Sequence, residues 1–273
     1  MKKNKFLFCI GLLLTVATIV NAQSVTWISS TEGNVWQKSK VKLQSKSEQN
    51  PVLQVDGTEN GVAFKNWGTT FNELCWDALG LLTRTEQDEI LYNIFSPQGD
   101  LRITRGRISM GANDYARSWY SCDEVEGDFE LRYFNINRDK QTIIPFIRAA
   151  QKYNPNLTFW ISPWCPPSWM KINGDYPVLS SPFNSLSEKQ NYLLYGATGG
   201  QVDENEMKLT GARDGVFPRQ LATTDFMIQD PRYLQTYADY FCRFIDAYKE
   251  QGIPIDMVMY QNEAYSYTPY PGC

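Results

Sequence analysis

The spacing of apolar residues divides this chain into stretches of different character. Lys2, Lys3 and Lys5 precede an almost wholly apolar run from Phe6 to Val20, and Asn21-Ala22 then offers a small-residue cleavage point before Gln23. This pattern predicts a secretory signal over residues 1–22, and so export to the periplasm or the outside of the cell. The run is shorter than the ~20 residues a spanning helix needs, and no stable membrane anchor is expected. From 23 to 56 the pattern alternates loosely, through Val25, Trp27, Val35-Trp36, Val41, Leu43, Val52-Leu53 and Val55. Such alternation, punctuated by Ser, Thr, Asn and Gly, predicts two or three short antiparallel strands.

Beyond about residue 60, strand-like runs alternate with helical stripes. Strands are expected over 64–71, 101–110, 157–161 and 255–260. Thr83 and Glu86 form a capping box ahead of Ile90, Leu91, Ile94 and Phe95. Asp139 is placed to cap a helix carrying Ile143, Ile144, Ile147 and Ala150, with Pro145 tolerated near its first turn. The clearest helix starts at Asp230-Pro231 and carries Leu234, Tyr237, Ala238, Phe241, Ile245 and Tyr248 on one expected face; Gly252 ends it and Pro254 prevents a restart.

Strand–helix repetition of this kind means a parallel sheet flanked by helices, either open or closed into a barrel. A closed barrel takes eight such steps, and four fit between roughly residues 60 and 263. The chain then ends in loop-forming residues, Tyr267 to Cys273. It therefore reads as the N-terminal portion of a longer protein, with a compact four-stranded α/β domain as the alternative. Residues 172–229 form a long connection with few regular patterns, the kind of segment that walls or covers a site.

Composition narrows the chemistry. Histidine is absent, so no imidazole acts as base, nucleophile partner or metal ligand. Proton transfer then falls to carboxylates, Tyr, Lys or Cys. Phosphate-binding glycine loops are missing. With 30 acidic against 26 basic residues and no basic patch, nucleic acid is not an expected partner. After residue 22 come Cys75, Cys122, Cys165, Cys242 and Cys273, an odd and widely spaced set that indicates neither a disulfide framework nor a zinc site.

In barrels, functional residues collect at the C-terminal strand ends. Those ends fall here near Asn72-Glu73, at Arg107 through Asp114, at Ser162-Pro163-Trp164, and at Gln261-Asn262-Glu263. Glu263 is the strongest candidate acid. A carboxyl ending an apolar strand is expected to be partly desolvated and able to hold a proton near neutrality; a solvated loop acid is the plain alternative. Glu73 carries more weight for the plain reading. Trp164 and Trp169 bracket two prolines and could each offer a flat face to a sugar, or simply pack in the core.

These residues resemble glycoside hydrolase family 30, the glucosylceramidase-like retaining β-glycosidases. Four blocks carry the likeness, in the family's order: Trp67 to Glu73, Arg107 to Asp114, Ser162 to Gly174, and Gln261-Asn262-Glu263. The block Ser162-Pro163-Trp164-Cys165-Pro166-Pro167-Ser168-Trp169-Met170-Lys171-Ile172-Asn173-Gly174 is the most specific. The resemblance implies a (β/α)8 TIM barrel, here only its first four units, with residues 23–56 belonging to a side β-sandwich and the barrel starting at about 57. It implies Glu263 as catalytic acid/base, with Glu73, Trp164 and Asn262 holding the sugar and Arg107 orienting the nucleophile. That nucleophile would be a second Glu at the seventh strand, beyond residue 273, since retaining enzymes need both carboxyls ~5–5.5 Å apart. A β-linked glycan or glycoside is the implied partner, and neither metal nor organic cofactor is implied. Thr69, Thr70, Ser109 and Ala264 depart from the family pattern and leave the substrate open. A non-catalytic glycan-binding protein, using Trp164 and Trp169 as platforms, or an inert fragment are the competing readings.

Overall fold

The computed structural model describes residues 24–42, 61, 63–171, 173–178, 180–186, 226–228, 230–264 and 269–273. The expected signal segment, residues 43–56 of the expected N-terminal strands and most of the long connection lie outside them. The chain divides into two units, Met1–Ala63 and Phe64–Cys273.

The first unit contains a hairpin of β1 (Ser24–Thr31) and β2 (Asn34–Lys42), antiparallel in register from Ser24 opposite Lys42 to Thr31 opposite Asn34. Gly33, at φ +78°, supplies the left-handed turn residue. Trp27, Val35 and Trp36 are exposed on it.

The second unit is a parallel sheet of β3 (Gly68–Phe71), β4 (Arg105–Ser109), β5 (Thr158–Ser162) and β6 (Ile255–Val258), each beside the next in chain order. Phe71, Ile108, Ile161 and Val258 fall in one row across it. Sequential parallel neighbours joined by helices make the wall of a (β/α)8 barrel. The strands are shorter than the apolar runs suggested. Phe64 and Trp67 pair edge-on with each other outside the sheet, exposed. Leu101 is also exposed, and Arg102 turns the backbone to φ 54°, so β4 starts only at Arg105.

Among the described residues, three of four helices start at a side-chain cap. The helix α1 (Glu73–Gly80) is not among those expected from apolar spacing; Asn72 caps it by accepting from Cys75 N–H at 2.9 Å. The second, α2 (Arg84–Phe95), has the expected capping box: Thr83 N–H donates to Glu86 Oε2 at 2.8 Å and Glu86 N–H to Thr83 Oγ1 at 3.4 Å. The helix α3 (Ile143–Gln151) is not capped by Asp139, contrary to expectation. A single 3₁₀ turn, Asp139–Gln141, precedes it. Asp139 instead lies fully buried, accepting from Tyr120 Oη and Tyr248 Oη at 2.6 Å each.

Asp230 caps α4 (Pro231–Glu250) as expected, and Gly252 at φ +70° closes it: Gly252 N–H donates to Lys249 O and Ile253 N–H to Tyr248 O. Its buried face is rotated from the expected one. Tyr233, Thr236, Tyr240, Phe244 and Tyr248 are buried, while Leu234 is exposed. Tyrosine turns inward because its hydroxyl finds a partner there, as when Tyr240 Oη accepts from Cys122 N–H at 2.9 Å.

Between sheet and helices, Phe71, Phe95, Phe146, Phe159, Ile147 and Phe244 form the main core. Gly106 sits where β4 crosses it; an added Cβ would lie 2.6 Å from the Phe71 ring and 2.8 Å from that of Phe159. A smaller cluster around Trp169, Met170, Phe226 and Tyr233 supports the loop after β5. Among the described residues, no helix is long and apolar enough to cross a membrane.

Candidate active site

The C-terminal ends of β4, β5 and β6 converge through one side chain. Arg107, on β4, donates from Nη2 to Asn262 Oδ1 at 2.5 Å and to Ser162 Oγ at 3.3 Å, touching the ends of β6 and β5 together. Its guanidinium also lies over the Trp160 ring at 5.3 Å and the Trp164 ring at 5.8 Å. Desolvation lowers the Arg107 pKa, while the charges of Asp114 and Glu263 pull it back up. Asp114 moves upward, chiefly through desolvation, with Glu263 adding to the rise and Arg107 opposing it. Asp114, Arg107 and Glu263 therefore feel one another's charge at one mouth. In the sequence Asp114 closes the Arg107–Asp114 block, where motif position alone gives it no role.

Beyond β6 the chain is bent back over β5. Asn262 N–H donates to Pro163 O at 2.8 Å, and Gln261 Nε2 to Trp164 O at 2.6 Å. Glu263 follows at φ 43°, a left-handed backbone that a non-glycine residue rarely adopts and that marks functional turns when it occurs. Its carboxyl is exposed, so the expected partial burial is not observed. Tyr270 Oη donates to Glu263 Oε2 at 3.4 Å, and the Tyr270 ring meets Trp164 edge-on at 5.8 Å. Trp164 is half-buried; its Nε1, like Arg107 Nε, is buried without a hydrogen-bond partner among the described residues.

Four of the five residues singled out thus meet: Glu263, Asn262, Arg107 and Trp164. The fifth, Glu73, lies apart from them. It is fully buried as the first residue of α1, with both carboxylate oxygens engaged. Arg138 grips it at 2.9 and 2.6 Å, Arg117 N–H donates at 2.8 Å and Thr142 Oγ1 at 3.3 Å. Burial alone would raise its pKa, but these partners together hold it below the usual range. A carboxylate so occupied ties the β4 loop to α1 and has no oxygen left for a sugar. Trp169 is likewise no platform: it is buried against Phe129 and Tyr233, and its Nε1 donates to Asp123 O at 3.0 Å. Among the described residues, no cysteine forms a disulfide. Among the described residues, no cluster of His, Cys, Asp or Glu could hold a metal ion.

A barrel wall with polar and aromatic residues collected at its C-terminal strand ends defines an enzyme-like site. Comparison with known proteins agrees. Residues 64–181 match the TIM-barrel domain of glycosyl hydrolase family 30. The chain is 27% identical to putative glucosylceramidase 4 of Caenorhabditis elegans over 250 residues, covering 91% of this chain and 40% of that protein. It is 26% identical to endo-1,6-beta-D-glucanase neg1 of Aspergillus fumigatus over 231 residues, covering 82% and 40%. Among solved structures, the endo-beta1,6-glucanase BT3312 superimposes with a TM-score of 0.60 at 20% identity, covering 91% of this chain and 45% of that one. The likeness to glycoside hydrolase family 30 thus rests on residues 64–181 and on these relatives, and the chain spans about 40% of the length of the curated relatives it matches.

Proposed function

We propose that the whole protein is an exported retaining β-glycosidase acting on β-glucosidic bonds, and that Glu263 is its acid/base. The observation carrying this reading is that Arg107 contacts Asn262 and Trp164, while Tyr270 links Trp164 to Glu263, the residue after Asn262. The second carboxylate, the nucleophile, is assigned to a later strand, beyond residue 273.

In the first step Glu263 gives its proton to the leaving oxygen as the glycosidic C–O bond breaks and the nucleophile's oxygen bonds the anomeric carbon. In the second, Glu263 takes a proton from water, whose oxygen displaces the nucleophile and frees the sugar. Trp164 and Asn262 hold the sugar. The open N–H donors of Trp164 and Arg107 would gain acceptors there, which favours binding because an unpaired buried donor costs about 1–3 kcal/mol. Relatives named for glucosylceramidase and for endo-1,6-beta-glucanase activity make a glucosyl lipid and a β-1,6-glucan the first substrates to screen. A purely glycan-binding role is less well supported, since the burial of Trp169 removes one of its two platforms.

The test is Glu263→Gln in the whole protein. Turnover of glycosides with poor leaving groups should fall by about 10²–10⁴-fold, the usual worth of a positioned acid. A variant that keeps the wild-type rate refutes the assignment.

A further inference from the structure

The residues after the Glu263 turn are tied to the loop that follows β5. Pro271 pairs with Pro177 in an antiparallel bridge, Gly272 N–H donates to Tyr176 O at 3.1 Å, and Asn184 Nδ2 donates to Pro269 O at 2.9 Å. That loop is in turn set by a buried cation. Lys171 is fully buried, and its ammonium donates to Tyr176 O at 2.6 Å and Pro177 O at 3.1 Å. Asn173 Nδ2 adds a donor to Pro177 O at 2.8 Å. A buried ammonium is tolerated only where such bonds satisfy it, so these carbonyls have little freedom to move. Lys171 and Asn173 both belong to the Ser162–Gly174 block, where spacing alone assigns neither a task.

Tyr270 stands between these anchors and Glu263. Its ring abuts Trp164 and its hydroxyl reaches Glu263 Oε2. The Glu263 carboxyl is exposed on a three-bond side chain, so without a tether it would sample several rotamers.

We propose that Tyr270 is a positioning residue for Glu263, and that Lys171 fixes Tyr270 through the 176–177/271–272 bridge. The inference rests on the reading of Glu263 as acid/base. Tyr270 occupies Oε2 and leaves Oε1 to carry the proton toward the leaving oxygen. The 3.4 Å separation is long for a hydrogen bond, as catalytic contacts often are before substrate tightens them.

A positioner of the acid acts only where protonation of the leaving group matters. The experiment compares kcat/KM for an alkyl β-glucoside and a dinitrophenyl β-glucoside in the whole protein, with Tyr270→Phe and Glu263→Gln side by side. Tyr270→Phe keeps the ring against Trp164 and removes only the hydroxyl. It should lower the alkyl glucoside rate by about tenfold and leave the dinitrophenyl rate within about twofold. Equal losses on both substrates, or none on either, overturn the positioning role. Glu263→Gln separates the two claims: if it does not share this leaving-group selectivity, the acid/base reading fails and the inference falls with it. Lys171→Met should show the same selectivity, and Lys171→Met/Tyr270→Phe should lose no more than Tyr270→Phe alone. Additive losses overturn the part given to Lys171.

Discussion

Replacing Asp139 by asparagine isolates the pH dependence of one buried carboxyl. Asp139 has no solvent exposure, and two phenols donate to its oxygens. Burial is the dominant influence and raises its pKa from 3.8 to about 6; the phenols and Arg138 oppose the rise and Glu73 adds to it. The folded state therefore binds this proton more tightly than the unfolded chain does. The sign follows directly: the contribution to stability is complete below about pH 4 and is lost as pH rises through about 6. The gap between 3.8 and about 6 corresponds to about 3 kcal/mol. An asparagine at this position would mimic the neutral acid, keep the side-chain volume and remove the titration. Urea unfolding at pH 4, 5, 6 and 7 should show Asp139→Asn gaining about 3 kcal/mol on the wild type across that range. Asp123 also rises to about 6, through burial and then the neighbouring Asp128 and Glu124. It remains in both proteins and cancels in the difference. A stability difference that stays constant from pH 4 to 7 refutes the reasoning.

Further tests address the other structural claims. Glu73→Gln leaves Arg138 facing a neutral partner, and should lower unfolding stability by about 3 kcal/mol; unchanged stability with impaired sugar binding would return Glu73 to the substrate site. Gly106→Ala drives a methyl into the Phe71 and Phe159 rings and should cost about 1–3 kcal/mol by the shift in urea midpoint, whereas a neutral result would show that β4 gives way. Thiol labelling of the native chain should be fast at exposed Cys75 and Cys242 and should spare Cys122 and Cys165 until unfolding. Burial raises both of those thiols, Cys165 to about 12.

Much of the fold is legible in residue spacing. The Thr83–Glu86 box, the Asp230-Pro231 start and the Gly252 stop are local signals read from neighbours in sequence, and the helices they bound lie where those signals put them. What depends on distant partners was not legible. Asp139 has the residue type of a cap, but its role is set by Tyr248, 109 residues away. The face of α4 turned because tyrosine hydroxyls find acceptors and donors inside, which periodicity ranks below leucine. The same holds at the site. Strand ends pointed to Arg107, Trp164, Asn262 and Glu263, because a parallel sheet gathers its C-terminal ends regardless of detail. Glu73 sits at such an end too, but Asn72 caps a helix there, and the helix carries the carboxylate to Arg138. Lys171 and Tyr270 gain meaning only from backbone bridges between segments about a hundred residues apart.

The central claim, that Glu263 works as acid/base in a retaining β-glycosidase, is tested most directly by adding azide to Glu263→Ala in the whole protein. Azide fits the space the carboxylate vacates and needs no base to attack. On a dinitrophenyl β-glucoside it should displace the enzyme's nucleophile from the anomeric carbon, raise the rate, and give β-glucosyl azide by NMR. Absence of the azide adduct, or an adduct of inverted α configuration, contradicts the account.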